Sequence, residues 1–206
     1  MSVRNEGLGV SLADREISTD TELLQRATHG DEAAFQLLYQ RHCAVVYRFA
    51  YRLLGTEAAA EDVAHDCFMA LLRRPEAFDP RRASLRTYLL AAARNLAFKQ
   101  FRRNGHELLV DEWPDEPAGP ETLNPLGQLL AEEAAAEVRR AVLLLPPLQR
   151  EALILFEYEE LSLSEVAHIT GADVNTIKAR LHRARQSLKR ELTAYWQPAV
   201  VAGSVG

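Results

Sequence analysis

The residues best placed to do chemistry in this chain are cations and amides rather than nucleophiles. Lys178, Arg180, Arg183, Arg185, Lys189 and Arg190 fall within residues 178–190, where there is no acidic residue. Asn175 and Thr176 stand just ahead of them, and His182 lies inside the run. Guanidinium and ammonium groups neutralise phosphates, while amide, hydroxyl and imidazole groups match the donors and acceptors on base edges. A second acid-free stretch, residues 85–105, carries Arg86, Arg94, Lys99, Arg102 and Arg103, with Asn95 beside Arg94. The chemistry on offer is non-covalent recognition of a nucleic acid.

His42, Cys43, His65 and Cys67 have the atoms of a metal or thiol site. On a helix, however, adjacent residues and residues two apart do not share a face as an i, i+4 pair does. Two cysteines packed in the core are the plainer reading. The sequence has no glycine-rich phosphate loop, no Gly-x-Ser-x-Gly turn and no carboxylate and histidine cluster. The expectation is a protein that is not an enzyme, with no catalytic residue, no metal or other cofactor and no small-molecule substrate.

The elements that must position the basic residues can be read from their caps. Ser162 and Glu165 have the Ser-x-x-Glu spacing of a capping box, so a short helix begins at Ser162. Gly171 takes the left-handed conformation that ends it, and Asp173 caps the next helix through the N–H groups of Asn175 or Thr176. In that second helix Ile177, Leu181, Ala184 and Leu188 recur at four, three and four, forming one buried stripe. Asn175, Lys178, Ala179 and His182 are left on the opposite face. A helix-turn-helix of this kind sets the start of its second helix in a DNA major groove. Asn175, Thr176, Lys178 and His182 are the candidate base readers, and Arg180 and Arg183 the candidate phosphate clamps.

The rest of the chain reads as helix with no alternating strand pattern. Leu23, Ala27, Phe35, Leu38, Tyr39, Val46, Phe49 and Leu53 outline the first helices, with His29-Gly30-Asp31 as a turn. A further helix over 58–74 ends at Pro75. It carries Asp62 and Asp66 on one face and Val63, Cys67, Ala70 and Leu71 on another. Tyr88, Leu89, Ala92, Leu96 and Phe98 are expected in the core rather than as stacking platforms. The formal net charge of -5 hides a segregation of charge: residues 107–133 hold no Lys or Arg but eight acidic residues. With Pro114, Pro117, Gly119, Pro120, Pro125 and Gly127 that middle reads as a linker.

The fold class expected is therefore all-α, with two small helical domains joined by a flexible acidic linker. The segments are an N-terminal tail (1–20), a first helical domain (21–104), the linker (105–130), a helix-turn-helix domain (131–195) and a C-terminal tail (196–206). No apolar run is long enough to span a bilayer, and residues 1–20 show no basic region leading into an apolar run. A cytoplasmic protein without direct membrane insertion is expected.

At this point the sequence resembles a known family. Leu145-Pro146, Gln149-Arg150-Glu151-Ala152, Leu163-Ser164-Glu165-Val166-Ala167 and the run from Thr176 to Arg185 look like the promoter-recognising C-terminal domain of bacterial sigma factors. Their spacing fits the extracytoplasmic-function group. The run from Ala60 to Phe68, with Thr87-Tyr88-Leu89 and Ala93-Arg94-Asn95-Leu96-Ala97, resembles the other conserved sigma domain. The resemblance implies that the first domain docks on core RNA polymerase through Glu61, Asp62 and Asp66. It also implies that this domain opens the minus-ten element through Arg94, Asn95, Lys99, Arg102 and Arg103. In the family, the loop holding Phe78, Asp79, Pro80, Arg81 and Arg82 is where a flipped base is held. The helix-turn-helix would read the minus-thirty-five element. The family pattern has Gln and Glu where His65 and Asp66 stand here. The partners implied are core RNA polymerase, promoter DNA and an anti-sigma factor. The alternative is a helix-turn-helix regulator that does not dock on polymerase.

Overall fold

The computed structural model describes residues 19–103 and 128–196, with side chains described within 19–103 and 135–193. Among these residues the fold is all-helical. Most of the segment read as a linker, and most of both tails, lie outside the described residues.

The first group of helices is α1 (Asp20–Thr28), α2 (Glu32–Leu54), α3 (Glu57–Arg73) and α4 (Leu85–Arg103). Helix α1 starts at a capping box that is reciprocal: the Glu22 N–H donates to the Thr19 hydroxyl, and the Thr19 N–H to the Glu22 carboxylate. Asp31 caps α2 by accepting from the Ala34 N–H at 3.0 Å, each such cap contributing on the order of 1 kcal/mol. Helix α3 occupies 57–73 against the expected 58–74, and Pro75 opens a single 3-10 turn after it. Phe49, Phe68, Leu38, Leu53, Leu71, Leu89 and Leu90 are fully buried where these helices meet, and burial of such a side chain contributes about 1.5–3 kcal/mol. On α3, Val63, Cys67 and Leu71 are buried as expected, but Ala70 is exposed because it sits one flank outside that stripe. Leu89 and Phe98 are buried, while Tyr88, Ala92 and Leu96 are half-buried.

The second group is α5 (Gln128–Leu144), α6 (Pro147–Leu153), a π turn (Ile154–Tyr158), α7 (Leu163–Thr170) and α8 (Val174–Trp196). The π turn closes with the Glu159 N–H donating to the Ile154 carbonyl at 3.0 Å. The chain then passes through Glu160 at φ 55°, a left-handed conformation in a residue with a side chain. Ile154, Leu155, Val166, Ile177 and Ala184 form the centre of this group.

The two groups pack against each other. Gly55 ends α2 at φ 81°, a backbone angle that favours glycine, and a Cβ there would lie 3.0 Å from Leu143 Cδ2 of α5. No helix among the described residues is long and apolar enough to cross a membrane.

Candidate nucleic-acid interface

The helix-turn-helix is built as its caps dictate. The Ser162 hydroxyl accepts from the Glu165 N–H, and the Glu165 carboxylate accepts from the Ser162 N–H at 2.9 Å. Gly171 ends α7 at φ 70°. The Asp173 carboxylate then accepts from the N–H groups of Asn175 and Thr176 at 2.9 and 3.0 Å. The Thr176 hydroxyl, with the N–H groups of Thr176 and Asn175, holds the Asp173 carboxyl below its ordinary range. Ile177, Leu181 and Ala184 are buried and Leu188 half-buried, so one stripe anchors α8.

That anchoring leaves Asn175 and Lys178 exposed at the start of α8, and Thr176 and His182 half-buried beside them. Thr176 spends its hydroxyl proton on Asp173, and His182 lies 3.3 Å from the Gln186 amide nitrogen. Arg185 pairs with Glu157 on the surface. Arg183 is half-buried. Arg180 is 12% exposed and ion-paired with Glu151 at 3.4 Å.

The basic residues of α4 divide in two. Asn95, Lys99, Arg102 and Arg103 are exposed. Arg94 is not: its side chain is 18% exposed, its Nε donates to Glu151 at 2.8 Å, and its guanidinium lies 4.4 Å from the centre of the Phe98 ring. Glu151 is fully buried, so the structure brings Arg94 from the first group and Arg180 from the second onto one carboxylate. Burial pushes the Glu151 carboxyl up, against the pull of the two guanidiniums.

A second buried carboxylate, Glu159, repeats the arrangement. It is 2% exposed and accepts from Arg86 at 2.9 Å and Arg52 at 3.3 Å, both from the first group. Arg86 also donates to the Glu159 carbonyl at 2.9 Å. Arg150 adds a third link through its bond to the Leu53 carbonyl at 2.6 Å, and donates to the carbonyls of Leu143 and Leu145 as well. Desolvation lowers the Arg150 guanidinium to about 10, which leaves it charged at neutral pH.

Beside this junction the loop after α3 borders a cavity of about 160 Å³ lined by Phe78, Asp79, Arg82, Thr87, Tyr88 and, from α7, His168. Asp79 shapes the loop by accepting from the N–H and the Nε of Arg81, both at 3.0 Å. Pro80 and the guanidinium of Arg81 face solvent.

On α3, Glu61, Asp62 and Asp66 are all exposed. The candidate metal set is dispersed among other partners. His42 bonds Asp20 at 2.9 Å, His65 is exposed, and burial pushes the Cys67 thiol up to about 12, too high for a reactive thiolate. Among the described residues no group of three or more His, Cys, Asp and Glu could hold a metal ion.

Sequence reasoning did not single out Arg52, Glu159 or His168. It named Arg86, Arg150 and Glu151 only within charge runs or motif blocks. The signal in the sequence was slight: Glu151 stands in a mostly apolar run, where a carboxylate must find a cation.

Two family models match the chain: Sigma-70 region 2 over residues 38–107 and Sigma-70, region 4 over residues 135–188. Among curated proteins the chain is similar to the ECF RNA polymerase sigma factor SigW of Bacillus subtilis, at 29% identity over 180 residues, covering 82% of this chain and 94% of that one. It is 31% identical over 180 residues to the ECF RNA polymerase sigma factor BldN of Streptomyces coelicolor, covering 87% and 68% of the two. Among solved structures it is similar to the sigma factor RpoE in complex with the anti-sigma factor NepR from Bartonella quintana, with a TM-score of 0.59 and 25% identity, over 77% of this chain and 96% of that one. CnrH, solved with the cytosolic domain of CnrY, shares the fold at a TM-score of 0.61 and 24% identity, over 86% and 99% of the two chains.

Proposed function

The chain belongs to the ECF group of sigma-70 RNA polymerase sigma factors, and on that footing we propose that it binds core RNA polymerase and directs promoter-specific initiation. The observation that carries this is the order of the two matched regions, each bearing its own basic helix. A simple DNA-binding regulator has no use for the first.

In this reading residues 21–104 form the domain that docks on polymerase and opens the minus-ten element, and residues 131–195 the domain that reads the minus-thirty-five element. Glu61, Asp62 and Asp66 present an exposed acidic face suited to a basic helix of polymerase. Asn95, Lys99, Arg102 and Arg103, with Arg94 once released, meet the opened strand, where basic side chains track the phosphates. Asn175, Thr176, Lys178 and His182 read base edges, with Arg180 and Arg183 on phosphates. The protein acts in the cytoplasm and without chemistry of its own. The solved relative held by an anti-sigma factor supports the same mode of control here.

Titration of the fluorescently labelled full chain with sigma-free core polymerase tests the docking step. Saturable binding, displaced by the host's principal sigma factor and weakened about tenfold by the double variant Asp62→Lys/Asp66→Lys, is expected. Absence of binding, or binding that the principal sigma factor does not displace, would return the chain to the class of ordinary helix-turn-helix regulators.

A further inference from the structure

Two arginines that the proposed function leaves without a task stand at the far end of α3. Arg73 closes the helix and Arg74 caps it, and both are exposed. Among the described residues neither side chain has an ion pair or a hydrogen bond. One tight turn holds them close to the loop cavity: the Ala77 N–H donates to the Arg74 carbonyl and the Phe78 N–H to the Pro75 carbonyl, both at 3.1 Å, and Phe78 lines the cavity. Further along the loop, Arg82 is exposed and lines the cavity too. The acidic residues within 73–82 do not cancel this charge. Asp79 is taken by Arg81, at 3.0 and 3.1 Å, which leaves Arg73, Arg74 and Arg82 against Glu76 alone. The helix dipole favours a cation in a last turn, which accounts for Arg73 on its own but not for Arg82 in the loop.

The position of this patch gives it an address on the DNA. Asn95, Lys99 and Arg102 are exposed at i, i+4 and i+7, one face of α4, and from that basic end α4 runs about 25 Å back to the loop. A helix-turn-helix reads duplex, so the minus-thirty-five side of the promoter stays paired, whereas a base enters the loop cavity only where the strands have parted. The path from Arg102 to the loop therefore runs towards the start site. Arg73 and Arg74 lie at that end of the group, on the α3 side of the loop. We propose that they bind the phosphates of the opened strand between the minus-ten element and the start site, holding the strand as it leaves the loop. The inference rests on the reading of the first group as the strand-opening domain. Contacts to the backbone carry no base preference, so this patch extends the grip on open DNA without narrowing the choice of promoter.

The test uses holoenzyme assembled from the full chain and core polymerase, on a promoter whose elements and start site are mapped from transcript ends. Two fluorescein-labelled fragments share the upstream duplex and a single-stranded minus-ten element on the non-template strand. One ends at that element, and the other continues as single strand to the start site. Parent holoenzyme is expected to bind the longer fragment more tightly. Arg73→Gln/Arg74→Gln should lose about tenfold on the longer fragment and nothing on the shorter. Its slope of log affinity against log salt on the longer fragment should fall by about 1.4, the effect of two single-strand phosphates. Arg73→Lys/Arg74→Lys should bind as the parent does, since a phosphate accepts either cation. Should the parent gain nothing from the extension, or the glutamine variant keep the whole gain, the proposal is overturned while the assigned function stands. A loss that falls equally on both fragments, or that lysine does not restore, overturns it too, because the arginines then serve the fold rather than the downstream strand. Failure of the parent holoenzyme to bind either fragment would overturn the assigned function itself.

Discussion

The guanidinium of Arg94 donates to the carboxylate of Glu151 at 2.8 Å across 57 residues of sequence, and that carboxylate has no exposure to solvent. Arg180 shares it from the other side at 3.4 Å. One acidic group therefore ties the basic helix α4 of the first domain to α8 of the second.

Removing that group leaves two partly buried cations facing each other. Glu151→Ala is expected to cost about 3–5 kcal/mol of folding stability, the range for breaking a buried pair from one side. Urea unfolding monitored by circular dichroism measures it. A loss below about 1 kcal/mol would mean that water already solvates the two guanidiniums.

How much of this was legible in the sequence depends on the range of each interaction. The capping box of Ser162 and Glu165, the turn at Gly171 and the Asp173 cap each lie within a few residues, and all were readable. The stripe of Ile177, Leu181 and Ala184 followed from helical period. The partners of Arg94 and Arg86 were not readable. An arginine in a basic run is the same letter whether it meets phosphate or a carboxylate from a distant helix, and tertiary packing chooses between them. The π turn at 154–158 was also invisible, since one extra residue in a helical turn leaves no composition mark.

Two residues with positive φ predict opposite effects. Glu160 sits at φ 55° and is exposed, so Glu160→Gly should stabilise the fold by about 0.5–1 kcal/mol. At Gly171, φ 70°, a Cβ meets nothing within 4 Å, so Gly171→Ala should cost about 1 kcal/mol from the backbone alone. Midpoints of urea unfolding for the two variants should move in opposite directions from the parent. Movement in the same direction would contradict the argument.

Acid should loosen the start of α8. The Thr176 hydroxyl and the N–H groups of Thr176 and Asn175 lower the Asp173 carboxyl. Its contribution is thus present above the unfolded value of about 3.9 and is lost as pH falls through the depressed folded value. Asp173→Asn keeps a capping oxygen but does not titrate. The difference in urea midpoint between pH about 5 and about 3 should accordingly be smaller in the variant than in the parent; equal differences would show that the cap does not sense acid.

The two classes of contact on α8 should separate in promoter binding. Asn175→Ala is expected to lose about 1–3 kcal/mol on the preferred minus-thirty-five sequence and to relax the preference at one base position. Arg183→Ala should weaken all sequences alike and lower the slope of log affinity against log salt by about 1. Fluorescence anisotropy of the holoenzyme on single-substituted promoters, at several salt concentrations, resolves them. A uniform effect of Asn175→Ala would remove it from the readers.

Initiation itself is the most direct measure of the account. The purified chain is added to sigma-free bacterial core polymerase with fragmented genomic DNA of its host, and the 5′ ends of the transcripts are sequenced. The account predicts discrete start sites that share two upstream elements at fixed spacing and vanish when the chain is left out. DNA binding without start sites that depend on the chain would contradict it.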